Sequence, residues 1–302
     1  MNWFLIALIT PILWSMSAQV DKFIVSKYFK SGGTGAAVML IAIVDTLLLP
    51  FIFIVEPQVV NAPILSIFIL VLAGICYVIT YVFYFTALQN EDASIVVSLL
   101  QLAPVFSYVL GFMFLHEYLT WVQIIAGLVI ITGSVGLTLE FEHKITIKRR
   151  VFILMTSCAF FAALNSFLFK FVAETTSFGT GLFWQYIGFT LSGIFIFICV
   201  KNYRQEILKL FKENKPKVLA ISGANELVNV AGNAALSFAS LIAPLALVWL
   251  ANSFEPFFTF LIGIFFTIFF PNFIKENISK KTLLQKSIFI ILIILGTILI
   301  NK

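Results

Sequence analysis

Carboxylates and carboxamides interrupt an apolar stretch in the last third of the sequence. Glu226, Asn229 and Asn233 are spaced by three and four residues, so they lie on one side of a helix. Glu255 directly precedes Pro256 in the next apolar run. Because a charge near the centre of a bilayer costs at least about 2.5 kcal/mol, such residues normally face a protein interior or a watery cavity. This stretch therefore predicts the wall of a transport site.

Three acidic residues are candidates for proton coupling: Glu226, Glu255 and Asp45, the last in the middle of another apolar run. Glu226 lies about 12 Å along its predicted helix at a rise of about 1.5 Å per residue, well inside the hydrocarbon. A carboxylate at that depth can bind and release a proton during transport. Each also has a structural alternative, in which the carboxylate only forms a buried polar pair with its neighbours.

Two prolines are predicted to kink helices at equivalent places. Pro256 leaves the carbonyl of Asn252 without its helical donor, so a locally opened helix would offer backbone oxygens to a substrate. Pro104, with Gln101 upstream, repeats this pattern earlier in the chain. A purely structural network around each proline is the alternative.

Aromatic and polar side chains suitable for a ligand pocket occur in two other apolar runs. They are Trp14 and Gln19 in the first run, and Tyr77 and Tyr81 in the third. Core packing is the alternative for the aromatic rings. Glu117 falls in a short connection, where a charge is inexpensive and a solvated turn is expected. Lys170 falls at a helix end, from which its side chain can reach the membrane surface.

Composition places all of these residues in an all-α integral membrane protein. Of the 302 residues, 61% are hydrophobic and 11% are charged, and the apolar runs reach the roughly 20 residues that a membrane-spanning helix needs. The N-terminal run lacks a basic segment and a cleavage signal, so we expect a retained first helix. Ten spans are predicted, approximately at 3–20, 34–55, 64–87, 93–115, 120–139, 151–172, 180–200, 218–240, 245–270 and 283–300.

A duplication relates the first five spans to the second five. A constant offset of 152 residues pairs Pro104 with Pro256 and Gly111 with Gly263. The same offset pairs Tyr77 with Asn229, so the polar face of the eighth span has an aromatic counterpart on the third. Because five spans is an odd number, the second half is inverted relative to the first. The predicted organisation is a repeat at 1–139, a basic linker at 140–150 and a second repeat at 151–302.

Basic residues predict the orientation. Of the 19 Lys and Arg, 17 fall in connections on one side of the predicted bundle, which should be cytoplasmic. Both termini are therefore expected outside a cytoplasmic membrane. The net charge of +5 is spread over short loops and forms no single basic face, so no nucleic-acid partner is expected. The three cysteines and two histidines lack the spacing of a metal or redox site, and we expect no cofactor, no metal and no enzymatic activity.

The segment at 84–137 resembles the drug/metabolite transporter superfamily, specifically its ten-helix EamA-type members. The likeness includes Pro104, Gly111, Glu117, Gln123 and Gly127, and a looser version recurs in the second half. The resemblance implies an inverted five-plus-five helix bundle around a central cavity, with spans five and ten at the periphery.

These observations lead to a functional hypothesis. The expected function is secondary transport, in the direction of export, of a small organic metabolite such as an amino acid or amine, with proton coupling as one option. Three intramembrane carboxylates and no central base favour a cationic group on the solute. An uncoupled facilitator or lipid-carrier flippase, and a non-transporting membrane scaffold or sensor, are the alternatives. Whether the chain is a monomer or a homodimer is left open.

Overall fold

The computed structural model describes residues 2–28, 34–89, 93–138, 149–212, 216–269 and 280–300, and these residues form helices and short connections without a strand. Eight of the helices are long and apolar enough to cross a membrane. This confirms the predicted all-α, multi-pass membrane class, because such helices satisfy every backbone group within the hydrocarbon.

Thirteen α-helices follow one another in the described residues. Those of the first half are α1 (Asn2–Tyr28), α2 (Thr34–Val55), α3 (Ile64–Leu88), α4 (Ala93–Leu100), α5 (Ala103–Phe114) and α6 (Trp121–Thr138). A short 3-10 helix, Pro57–Asn61, lies between α2 and α3. Those of the second half are α7 (Arg149–Ala173), α8 (Phe178–Cys199), α9 (Lys201–Lys212), α10 (Pro216–Ile242), α11 (Leu245–Asn252), α12 (Glu255–Phe269) and α13 (Lys280–Ile300).

Two of the ten predicted spans fall short of the length or hydropathy of the other eight. The fifth, at α6, is an apolar helix of 18 residues whose apolar part, Trp121–Leu137, is shorter than the others. The eighth corresponds to α10, which has 27 residues but carries the polar side chains singled out above. The structure therefore supports eight spans by composition, and these two helices match the remaining predictions in position.

Both proline-containing spans are interrupted by two non-helical residues. The fourth span divides into α4 and α5 at 101–102, and the ninth divides into α11 and α12 at 253–254. At each break the backbone tightens, with Gln101 N–H donating to the Ser98 carbonyl and Ser253 N–H donating to the Leu250 carbonyl. The two breaks are separated by the same 152 residues that relate the prolines.

The helix packing joins the two halves of the chain. The helix α1 packs on α10, α3 packs on α7 and on α8, and α2 packs on α8. At one edge α6 packs on α13, away from the other helices of the bundle. Each helix that carries a predicted pocket residue thus meets a helix from the other half, and the pocket must form between the halves.

Candidate functional site

A cavity of about 90 Å³ lies between α1, α3, α7 and α10, and is completed by the broken helices α4, α11 and α12. That volume exceeds the roughly 10–15 Å³ that one water requires, so several waters or part of a small solute can occupy it. Its lining consists of Trp14, Ser17, Ala18, Asp21, Tyr77, Thr80, Tyr81, Tyr84, Leu100, Cys158, Ala162, Asn165, Ser166, Asn229, Asn233, Leu236, Trp249 and Glu255.

The wall formed by α3 is aromatic. The hydroxyl groups of Tyr77 and Tyr81, one helical turn apart, are hydrogen bonded to each other at 2.9 Å. The Tyr77 ring also stacks on Phe189 of α8, with 4.4 Å between the ring centroids. The Tyr81 ring stacks on Phe85. The rings are therefore fixed in position, and they present flat apolar faces with hydroxyl groups at their tips.

The wall formed by α10 carries amides and an acid. The Asn229 side chain donates to Glu226 Oε2 at 3.2 Å. Glu226 is only 4% exposed, and its Oε1 has no hydrogen-bond partner among the described residues. Trp14 of α1 donates through Nε1 to the Asn229 backbone carbonyl, at 3.5 Å. Asn229 and Asn233 line the cavity directly, whereas Glu226 reaches it through Asn229.

Glu255 reaches the cavity from the break in the ninth span. Its side chain is buried, and Oε2 has no hydrogen-bond partner in the described part of the chain. Its backbone carbonyl accepts a hydrogen bond from the Ser15 hydroxyl at 2.9 Å. The carbonyl of Ser253, two residues earlier, accepts from the Ser134 hydroxyl at 2.7 Å. Serines of the first half thus bind these two carbonyls of the opened helix.

Five of the predicted site residues do not line the cavity: Gln19, Asp45, Gln101, Glu226 and Asn252. The Gln19 amide donates to the Thr259 carbonyl, which joins α1 to α12. The Gln101 amide donates back to the Val97 carbonyl within its own span. Asn252 is buried beside the break, away from the cavity lining. For Gln19 and Gln101, the structure therefore shows packing contacts in place of the expected contact with the cavity.

Asp45 is the most isolated of these residues. It is 1% exposed in the middle of α2, and neither of its carboxylate oxygens has a hydrogen-bond partner within the described residues. It lies near enough to Glu226 for the two carboxyl groups to interact electrostatically. The buried structural pair expected as its alternative would need a donor, and the described residues place none on it. Asp45 is instead a neighbour of Glu226 behind the cavity wall.

Sequence reasoning missed Asp21, a third acidic residue at the cavity. Asp21 lies on α1, lines the cavity and accepts a hydrogen bond from the Asn225 amide at 2.8 Å. In the sequence it directly precedes Lys22, so it falls just past the predicted span and resembles a loop residue. The structure continues α1 to Tyr28, which places Asp21 inside the helix.

Asn165 and Ser166 on α7 were also missed, although two polar residues within an apolar span are a usable signal. Both line the cavity, and the Asn165 side chain accepts a hydrogen bond from the Gln185 amide of α8 at 2.6 Å.

The charges around the cavity have one sign. Asp21 and Glu255 line it, and Glu226 is bound to a lining amide. Among the described residues that line it, none is Lys, Arg or His. In a site largely removed from water, a carboxylate favours a cationic partner, because the attraction is only weakly screened. The described residues contain no group of three or more His, Cys, Asp or Glu arranged to hold a metal ion.

Glu117 and Lys170 form a buried ion pair at one end of the bundle, and the predicted solvated turn is wrong. Lys170 donates both to Glu117 Oε1 and to the Ala243 carbonyl, the latter at 2.8 Å. Glu117 Oε2 accepts the Leu245 N–H at 2.8 Å, at the first residue of α11. Their side chains are 13% and 5% exposed, respectively. The pair joins the α5–α6 connection, the end of α7 and the α10–α11 connection.

Comparison with known proteins agrees with the fold and the family. Residues 1–139 match the EamA-like transporter family, which confirms the resemblance seen in the sequence. No curated protein matches the chain. A solved structure described only as "Crystal structure of protein" is 14% identical, with a TM-score of 0.69 over 99% of this chain and 96% of that one. At that identity the likeness concerns the fold alone.

Proposed function

Because this chain belongs, through residues 1–139, to the EamA-like transporter family, we propose that it is a secondary transporter of a small organic metabolite that carries a cationic group, such as an amine or amino acid. Export across the cytoplasmic membrane is the proposed direction. The solute binds in the cavity between the two halves, with its cationic group towards the carboxylates and its apolar part against the tyrosines of α3.

One observation carries the proposal: the cavity combines carboxylates with aromatic rings and contains no basic lining residue among those described. Asp21 and Glu255 are both on the lining, and Trp14, Tyr77 and Tyr81 supply ring faces. A cation is attracted both to carboxylates and to the negative face of an aromatic ring. An anionic solute would meet repulsion from the same groups.

The proposed mechanism is alternating access between two inverted five-helix repeats, at 1–139 and 151–302, joined by a linker at 140–150. Matching backbone contacts support the repeats. Thr10 on α1 donates to the Gly232 carbonyl of α10, and the Cys158 thiol on α7 faces the Thr80 carbonyl of α3 at 3.5 Å. The two acceptors are again 152 residues apart. With α6 and α10 included, the repeats contain ten spans, and both termini lie outside.

The Glu117–Lys170 pair is proposed to close the cavity on the non-cytoplasmic side. Between the pair and the cavity lies a packed apolar cluster that includes Ala103, Phe167 and Leu245. Because Glu117 belongs to the first repeat and both Lys170 and Leu245 belong to the second, rocking the repeats apart at this end must separate these groups. Glu226, Glu255 and Asp45 are the proposed proton-coupling groups.

Transport by purified protein in liposomes tests the proposal. Radiolabelled amino acids and amines are screened with and without a pH gradient, and neutral and anionic solutes of similar size serve as competitors. Flux of an amine that only other cationic solutes inhibit is the expected result. Flux that does not respond to the pH gradient would indicate an uncoupled facilitator, and flux of a lipid-linked solute would indicate a flippase. No flux of any solute would favour a scaffold or sensor.

Matched variants test the role of the acids. Glu226→Gln and Glu255→Gln should each change the proton dependence of transport, whereas Glu174→Gln, at a half-exposed acid outside the cavity, should not. An unchanged proton dependence in both cavity variants would refute the carboxylate mechanism. A reporter fused after Lys302 tests the orientation, and a cytoplasmic signal there would contradict the assignment from basic loops.

A further inference from the structure

The helix α9 begins where a membrane-spanning helix ends. Only Val200 separates it from α8, and helical hydrogen bonding nearly continues through this residue. The Val200 N–H donates to the Ile196 carbonyl at 2.8 Å, and the Arg204 N–H donates to the Val200 carbonyl at 3.0 Å. With so short a connection, α9 must lie at the membrane surface. The sequence analysis treated this segment only as a polar connector.

One face of α9 is fixed to the beginning of α2. Glu206 Oε2 accepts the N–H groups of Gly35 and Ala36, at 2.9 and 3.4 Å, and thereby caps α2. Ile207 is 3% exposed in the same contact. The Tyr203 ring lies directly against Gly35, where a Cβ atom would overlap it. This face is therefore already occupied by the protein.

The opposite face combines exposed apolar and basic side chains. Leu208 and Phe211 are 42% and 48% exposed. Lys201 and Lys212 are exposed on the same side, at helical positions that flank Leu208, and Arg204 lies on it too. Apolar side chains beside lysines and arginines, on a short helix at a membrane surface, form the pattern of an interfacial amphipathic helix.

We propose that this outer face of α9, defined by Lys201, Arg204, Leu208, Phe211 and Lys212, binds anionic phospholipids of the leaflet on its side of the membrane. Leu208 and Phe211 enter the boundary between headgroups and acyl chains, and the basic groups bind lipid phosphates. The lipid surface is favoured because the exposed Phe195 and Ile198 continue the apolar surface along α8. The proposal does not depend on which solute, if any, is transported.

A consequence for α2 follows from Glu206. Since this residue holds the first N–H groups of α2 and lies on the helix that contacts the lipid, anionic lipid fixes the position of that end of α2. Headgroup composition then acts on a helix that packs against α8 and carries Asp45.

A fluorescent label on the full chain in vesicles tests the proposal. Phe211→Cys is labelled with an environment-sensitive dye in a Cys199→Ser background, because the other two cysteines are buried. Asn202→Cys is the control, since nine residues place it about 180° around the helix from position 211. Vesicles contain phosphatidylcholine alone or with phosphatidylglycerol, and a spin-labelled lipid serves as quencher.

The expected result is roughly twofold or greater quenching at position 211 relative to position 202, and only with phosphatidylglycerol. Lys201→Glu/Arg204→Glu/Lys212→Glu should remove the difference between the two vesicle types. If that variant does not fold, high salt applied to the labelled chain without these three substitutions should remove it too, by screening. Equal quenching at 211 in both vesicle types would overturn the anionic preference. Equal, weak quenching at 211 and 202 would overturn the lipid contact and favour a protein partner.

Discussion

The helices α3 and α10 occupy equivalent places on the cavity, yet their side chains differ in chemistry. With the offset of 152 residues, Tyr77 corresponds to Asn229 and Tyr81 to Asn233, and all four line the cavity. On α3 the two tyrosines bind each other, whereas on α10 an asparagine binds a carboxylate. One repeated framework therefore supports an aromatic wall and an acidic wall.

This difference separates two tasks that the repeats could otherwise share. The backbone positions equivalent to each other keep equivalent supports, since Thr10 binds the Gly232 carbonyl and Cys158 faces the Thr80 carbonyl. Only the groups that point into the cavity have diverged. Selectivity for a solute with one charged and one apolar end is the result that such a divided site favours.

The largest effect is expected at the ion pair that supports both walls. Lys170→Met leaves Glu117 buried without its cation, and should lower the free energy of unfolding by about 3–5 kcal/mol. Thermal or denaturant unfolding in detergent measures this change. The double variant Glu117→Gln/Lys170→Met should recover part of the loss, and an equal loss in both would show that the pair itself contributes little.

The next effect concerns the acidic wall. Glu226→Gln keeps the shape and the contact with Asn229 but removes the charge, so transport of a cationic solute should fall about 10- to 100-fold, equivalent to about 1.4–2.8 kcal/mol. Initial rates in liposomes measure this fall. Tyr81→Phe, the matched change on the aromatic wall, should alter transport less than tenfold. If the two variants lose activity equally, the proposed division between the walls is wrong.

A smaller effect compares the two equivalent supports. Thr10→Val removes a hydroxyl that binds the Gly232 carbonyl, and should lower stability by about 1 kcal/mol. Cys158→Ala removes only the weakly donating thiol from the Thr80 carbonyl, so the part of its effect due to hydrogen bonding should be smaller. Because alanine also loses packing, Cys158→Ser serves as a control that keeps a donor. Unfolding midpoints under identical conditions compare the variants.

The smallest effect is expected for the tyrosine pair. Tyr77→Phe removes one of two hydroxyls joined at 2.9 Å and leaves the stacking on Phe189, so stability should change by about 0.5–1.5 kcal/mol. A loss of several kcal/mol in denaturant unfolding would show that the hydroxyl has a further partner. Tyr77→Leu, which also removes the ring, provides the upper bound for this position.

Much of the fold is evident in the sequence because hydropathy and proline act locally. Both ends of α2 coincide with the predicted span at 34–55, and both helix breaks lie just before the prolines that predicted them. The site was harder to predict, because it depends on which helices meet. Periodicity places Glu226 on a polar face, but the sequence does not indicate that α1 extends to present Asp21 beside it.

The Glu117–Lys170 pair illustrates the same limit. Each residue alone lies at a helix end where a charge is inexpensive, and only the packing of three connections buries both. Similarly, Glu206 resembles a solvated residue of a basic connector until α9 is placed against the start of α2.

The serine contacts at the break in the ninth span have a consequence for synthesis of the chain. Ser15 and Ser134 donate to the Glu255 and Ser253 carbonyls, and both serines are made before the break leaves the ribosome. The interrupted helix therefore enters a membrane that already holds its donors. The N–H groups at the start of α2 are made first and must wait for Glu206, about 170 residues later. Assembly of this protein is thus directional, although its architecture repeats.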